Sequence, residues 1–298
     1  MIQSHAGEFS AILVAIFWTI TALAFESASN KVGSLPVNLV RLVLGFVFLS
    51  LLNLFMRGRF FPTDASMHNW IWLSVSGLIG FVLGDLFLFK SYTIIGAWFA
   101  MLIMTLAPPL AALFGWVVLG ETMDIKSLSG MILTLIGITL ALFSRDNDNN
   151  KIAIRKPFRG ILFAFFGALG QALGIVFSKY GMKEYSPFPS TQIRIITGII
   201  GFMLIITLSG RWNTVFAALK DRKGMTAITT GSFFGPFLGV SFSLMAVKYT
   251  SAGIASTIMA MVPILIIPPS IFLFHHKINV REIIGTVLSV TGVALFFL

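Results

Sequence analysis

Apolar residues run along this chain in ten long stretches, near 9–30, 36–56, 69–89, 92–118, 126–144, 158–180, 190–209, 225–247, 250–274 and 281–298. Each approaches or exceeds the roughly 20 residues a helix needs to cross the hydrocarbon of a bilayer, and polar residues gather in the short connections between them. The pattern predicts an all-α polytopic membrane protein of ten transmembrane helices. The first stretch has no Lys or Arg before it and is too long for a signal peptide, so it reads as a retained helix. The longest polar run, Arg145 to Arg159, reads as a linker.

The residues that interrupt the apolar pattern repeat. Pro36-Val-Asn-Leu-Val-Arg41-Leu-Val-Leu-Gly45 recurs as Pro189-Ser-Thr-Gln-Ile-Arg194-Ile-Ile-Thr-Gly198, displaced by 153. Gly80, Gly84, Pro108, Lys126, Gly130 and Gly137 recur, displaced by 155, as Gly235, Gly239, Pro263, Arg281, Gly285 and Gly292. The chain therefore divides into two five-helix repeats, 1–147 and 148–298. An odd number of spans per repeat turns the second half over in the membrane, and inverted pairs of this kind usually hold a substrate path between them.

Composition strengthens the membrane reading. Hydrophobic residues make up 57% of the chain, charged residues 11%, and mean hydropathy is +0.93, whereas soluble domains are about 45–50% apolar and about 25% charged. The net charge of +10 sits in connections, where lipid headgroups account for it, and no soluble basic domain exists to bind nucleic acid. If the termini were inside, six Lys and Arg would face the cytoplasm and thirteen the opposite side, so the positive-inside rule places both termini outside. The chain has no cysteine, which excludes disulfides and thiolate metal sites and leaves the redox compartment unread.

Enzyme chemistry finds no constellation. His5, His68, His275 and His276 lie at span ends or connections without an HExxH partner, so neither a metal site nor a histidine-activated nucleophile can be assembled. No Gly-Lys pair exists for a phosphate-binding loop, and the sequence calls for no cofactor.

Leu244-Met-Ala-Val-Lys-Tyr-Thr250-Ser-Ala-Gly-Ile-Ala-Ser-Thr-Ile-Met-Ala-Met-Val-Pro263, together with Gly285 and Gly292, carries a family likeness, as do Pro108, Leu119-Gly-Glu121 and Gly130 to Gly137. These residues resemble the drug/metabolite transporter superfamily, in its ten-helix branch of two EamA-type domains, over nearly the whole chain. The second half departs from the family's Leu-Gly-Glu with Phe274-His-His276, which breaks any symmetric role for Glu121. The resemblance implies a secondary transporter in the cell (inner) membrane, working by alternating access without nucleotide hydrolysis. It would move small metabolites such as amino acids, more often outward, as a monomer or homodimer. A sugar-phosphate or nucleotide-sugar carrier, a passive channel or scramblase, and a membrane scaffold are the rivals.

The candidate pathway residues follow from cost. A charge at the bilayer centre costs about 2.5–3.5 kcal/mol on insertion scales, so acids inside spans need a reason. Asp85 follows Gly80-x3-Gly84 in the third span and reads as a cavity carboxylate for a substrate amine or proton, as a structural pair with Lys90 or another helix, or as a residue snorkelling at the interface. Glu26, near Lys31, reads as interfacial. Arg41 and Arg194 read as braces at opposite membrane sides, each able to hold one gate. Trp18 and Trp98 lie inside spans although tryptophan favours interfaces, Gln171 is the repeat counterpart of Trp18, and Tyr92 opens the fourth span. Pro108 and Pro263 interrupt helices at matched positions, and the glycine seams, including Gly170-x3-Gly174, allow close helix approach.

Overall fold

The computed structural model describes residues 6–119, 125–145, 152–154, 156–249, 258–274 and 279–297. Glu121, His5, His275, His276 and the 250–257 run lie outside them. Helices occupy the described part of every predicted span: α1 (Ala6–Val32), α2 (Ser34–Arg57), α3 (Met67–Gly77), α4 (Asp85–Ile95), α5 (Ala97–Met104), α6 (Ala107–Leu119) and α7 (Ile125–Leu142) come first. The second half supplies α8 (Phe158–Met182), α9 (Pro187–Leu208), α10 (Trp212–Lys220), α11 (Arg222–Ser232), α12 (Val240–Tyr249), α13 (Val262–Leu265), α14 (Ile267–Phe274) and α15 (Val280–Phe297). Six described stretches are long and apolar enough to cross a membrane: 7–32, 34–57, 67–95, 97–117, 158–182 and 187–208.

The linker contains a feature its polarity did not predict. Phe143–Arg145 and Ile152–Ile154 pair as short antiparallel strands β1 and β2, with Ser144 opposite Ala153. The alternating Ile-Ala-Ile supplies residues that suit a strand.

Local irregularities repeat with the sequence. α3 joins α4 through a π-helical turn at Leu78–Gly84, and α11 joins α12 through another at Phe233–Gly239, displaced by 155. Pro236 removes a donor in the second, while Phe81 holds its place in the first. The helix also breaks at Thr105-Leu106 and again at Ala260-Met261, just before Pro108 and Pro263. There the chain tightens to short-range bonds, Leu106 N–H to Ile103 O at 3.0 Å and Met261 N–H to Ile258 O at 3.1 Å. Pro108 and Pro263 both fall in the first turn of the helix that follows, where a missing N–H costs least.

Packing displays the symmetry of the halves. α1 packs on α11 and α12, while its repeat counterpart α8 packs on α3 and α4; α2 pairs with its own counterpart α9, and α7 with its counterpart α15. Gly198 meets Leu42 while Asn53 bonds Gln192, so α2 and α9 run antiparallel. Gly292 meets Thr134 while Gly285 meets Ala141, so α7 and α15 do too. Counterpart helices that run antiparallel mean that the second repeat is inverted.

Close approach depends on glycine. A Cβ on Gly170 would stand 2.6 Å from Gly84 Cα, and one on Gly174 would stand 2.9 Å from Gly80 Cα. The seams 80–84 and 170–174 therefore interlock across the two halves. At the equivalent place in the other half, Gly235 meets Thr21 and Gly239 meets Trp18.

Candidate functional site

The interlocked seams set one polar residue from each half face to face. Asp85 follows Gly84 and Gln171 follows Gly170, and Gln171 Nε2 donates to Asp85 Oδ1 at 2.7 Å. The same amide lies 3.4 Å from the Gly80 carbonyl, inside the π-helical turn.

From α2, Arg41 donates through Nη2 to Asp85 Oδ2 in an ion pair whose side chains are 5% and 6% exposed. Asn38, one turn earlier, accepts from Arg41 Nε at 3.1 Å and donates to the Asp85 carbonyl at 3.3 Å. The Arg41 guanidinium lies 4.6 Å from the Phe89 ring and 5.7 Å from Phe25. A buried ion pair recovers its desolvation cost only when hydrogen bonds satisfy the remaining donors and acceptors. Here both carboxylate oxygens and Nε are engaged.

Several sequence expectations change. Of the two structural partners the sequence allowed Asp85, Lys90 is exposed, and the pair forms with another helix, through Arg41. The two arginines do not stand apart at opposite gates: Arg194 lies 4.6 Å from the Phe81 ring and Arg41 6.0 Å from the same ring. Each enters from its own end of the bundle, but an arginine side chain reaches a full turn or more inward, so both charges converge. Tyr92 closes the third span rather than opening the fourth, because Gly96, at φ 83, breaks the helix in a conformation L-residues resist. Glu26 is 2% exposed, set against the Ala97 backbone N–H and in the field of Lys156, and its Oε2 has no hydrogen-bond partner among the described residues.

The aromatic candidates surround this cluster unequally. Tyr92 stacks on Phe89 at 5.4 Å and reaches Met101 Sδ at 3.5 Å. Trp98 is 2% exposed, its Nε1 without a hydrogen-bond partner among the described residues, within the same apolar core as Phe25, Phe89 and Tyr92. Trp18, half-buried, packs against Gly239 on the opposite half. Asn38 was missed by sequence reasoning, although its place three residues before Arg41 on one helical face was a usable signal.

A second set of contacts ties the halves together outside the spans. Asp64 accepts from Arg57 at 2.5 Å and from the Tyr185 hydroxyl at 2.8 Å, with Arg59 at 3.4 Å. Burial acts to raise the Asp64 carboxyl, but the bonds from Tyr185 and Arg57 outweigh it and hold it below its ordinary value. Burial, and then the adjoining carboxylate, push the Tyr185 phenol up to about 12. A surface cavity of about 430 Å³ opens beside this set, lined by Ser66, His68 and Tyr185 among others, well away from Asp85.

A model of the EamA-like transporter family matches residues 5–143 and again 158–298. An uncharacterized transporter of Clostridium kluyveri is 26% identical over 179 residues, 60% of this chain and 56% of that protein. The uncharacterized transporter YvbV of Bacillus subtilis is 27% identical over 191 residues, 63% of this chain and 59% of its own. In both, the match spans less than two thirds of the relative's length. A protein of Lactiplantibacillus plantarum named for ribose uptake, RbsU, is 30% identical over 230 residues, 74% of each chain. A solved crystal structure superposes with a TM-score of 0.61 over 98% of this chain and 95% of its own, at 18% identity, a likeness of fold alone.

Proposed function

Because the chain belongs to the EamA-like transporter family, we propose that it is a secondary carrier moving amino acids or related small metabolites outward across the cell membrane by alternating access. The observation that carries this reading is the cluster of Arg41, Asp85, Gln171 and Arg194, drawn from both inverted repeats at their interface, with its Arg41–Asp85 pair buried and Gln171 and Arg194 half-buried. Charged groups inside a membrane are costly and mark pathways by default. The matched π-helical turns and helix breaks support it, since irregular backbone within a membrane lies where it is buried in protein or lines a cavity.

The repeats, 1–147 and 148–298, would rock against each other along the glycine seams, opening the cluster to one side and then the other. Trp18, Trp98 and Tyr92 would supply the walls of the path, and Pro108 and Pro263 its bends. A proton would couple transport through a carboxylate; Asp85 has both oxygens engaged, which moves this role to Glu26. The carrier would act as a monomer or homodimer.

Purified protein in liposomes, loaded with unlabelled amino acid, should show saturable counterflow of the labelled compound, reduced in Trp18→Ala. Non-saturating flux without counterflow would replace the carrier with a channel or scramblase. Two rival cargoes belong in the same assay. Sugar phosphates gain from the depth of both arginines, and ribose from the likeness to the protein named for its uptake. Counterflow of either, with none of amino acids, would overturn the proposed substrate class.

A further inference from the structure

We propose that Arg194 is the receptor for a carboxylate on the transported molecule, so that the cargo is a compound with one carboxylate, either a monocarboxylic acid or an amino acid. This rests on the carrier reading above and names the chemical group the site would hold.

The charges at the centre do not balance pairwise. Arg41 is matched by Asp85, whose second oxygen is taken by Gln171. Among the described residues Arg194 has no ion pair of its own and shares the longer-range field of Asp85, so these three groups carry one positive charge in excess. Its Nε is buried and has no hydrogen-bond partner among the described residues. A guanidinium must satisfy five donors, and a buried donor left unmet is expensive. The Phe81 ring, 4.6 Å away, offsets part of the charge through its face but accepts no conventional hydrogen bond.

The position of Arg194 is built rather than incidental. Its backbone is pressed on Gly77, where a Cβ would stand 2.5 Å from the Arg194 carbonyl oxygen, and Nη2 lies 3.3 Å from the Cβ position of Gly80. A snorkelling arginine would extend toward headgroups. This one lies over an aromatic ring of the neighbouring span, on the π-helical turn that leads into Asp85. The residue as a whole is half-buried, as are Trp18 and Gln171.

One excess charge selects among anions. A carboxylate carries one negative charge and matches the fork of the guanidinium in a bidentate pair. A phosphate ester carries about −1.5 to −2 at neutral pH, and would leave negative charge uncompensated. A neutral sugar would leave the cation unmatched.

The test uses purified full-length protein in detergent. Thermal unfolding is followed with L-leucine, L-phenylalanine, pyruvate and lactate, with the amides of these four acids, and with ribose and glycerol 3-phosphate. Counterflow of the same compounds is measured in liposomes. At least one carboxylate should stabilise wild type and bind about 10–100-fold tighter than its amide, the range expected for a hydrogen-bonded charge pair. Arg194→Gln should bind acid and amide alike, while Arg194→Lys keeps part of the preference.

A preference that survives Arg194→Gln overturns the proposal. So does stabilisation by ribose or glycerol 3-phosphate without any by carboxylates, or no stabilisation of wild type by any carboxylate. Arginine-dependent carboxylate binding without counterflow would sustain the receptor and remove the carrier reading. If Arg194→Gln does not fold, the acid-to-amide ratio in Arg194→Lys decides: an unchanged ratio overturns the assignment.

Discussion

Replacing Asp85 by Asn keeps the shape of the side chain and removes its charge. The Arg41 and Asp85 side chains are 5% and 6% exposed, so water cannot solvate the guanidinium left behind, and Arg194 adds a second cation against the same Phe81 ring. Asn can still accept from Gln171, so the loss is chiefly electrostatic. Removing one partner of a buried pair costs about 3–5 kcal/mol. Taking about 2 °C per kcal/mol, the lower end of the range for chains of this size, the midpoint should fall by roughly 6–10 °C. Thermal unfolding in detergent, followed by tryptophan fluorescence, measures this directly. Replacing both partners with apolar residues, as in Arg41→Met with Asp85→Leu, removes the buried charges together and should cost no more than either single change. A midpoint for Asp85→Asn within about 1 °C of wild type, well under the shift expected for one kcal/mol, or a double variant equal to the sum of the singles, would refute the claim that these charges depend on each other.

Gly170→Ala places a methyl 2.6 Å from Gly84 Cα, so the halves must separate there; overpacking of about 1–3 kcal/mol should appear as a lower unfolding midpoint. At the membrane face, alkaline absorbance titration of wild type minus Tyr185→Phe should isolate one tyrosine ionising at about 12 rather than at its ordinary 10.0. Because the folded phenol holds its proton more tightly, that contact contributes fully below pH 10.0 and is lost as pH rises toward about 12. The Asp64 carboxyl is held down, so its contribution is present above 3.8 and disappears as pH falls below that value; Asp64→Asn should remove that part of the acid limb of the stability profile and leave the rest. Glu26→Gln should leave counterflow intact while removing acceleration by an imposed pH gradient, and an unaltered response to the gradient would exclude Glu26 as the coupling group.

Much of the fold was legible because it is periodic. The spans follow from lengths of apolar residues, and Pro36, Arg41 and Gly45 returning as Pro189, Arg194 and Gly198 exposed the duplication. The glycine seams were readable as close-approach surfaces. Asp85 and Gln171 were recognisable one at a time, since each is a polar group where lipid would penalise it. Their bond to each other was not, because nothing along either helix states which seam meets which. Lys90, five residues away, was one partner the sequence allowed Asp85, but side chains at i and i+5 point to different helical faces; the other, a residue of another helix, could not be named. Arg41, distant in sequence, was brought to it by the packing of α2 against α4. Glu26 looked interfacial by its distance from the helix end, yet the start of α5 at Ala97 covers it.

What the sequence determined by itself is the set of properties that depend on composition and spacing: residence in a membrane, two halves of five spans, inversion from the odd count, and the places where glycine and proline disturb a helix. Those follow from transfer free energy and backbone sterics, which act residue by residue. Tertiary structure decided which charges meet, how deep they lie, and that Arg41 is matched while Arg194 is not. Pairing and depth depend on neighbours far along the chain and on side-chain reach. A one-dimensional pattern does not contain them until the helices are packed.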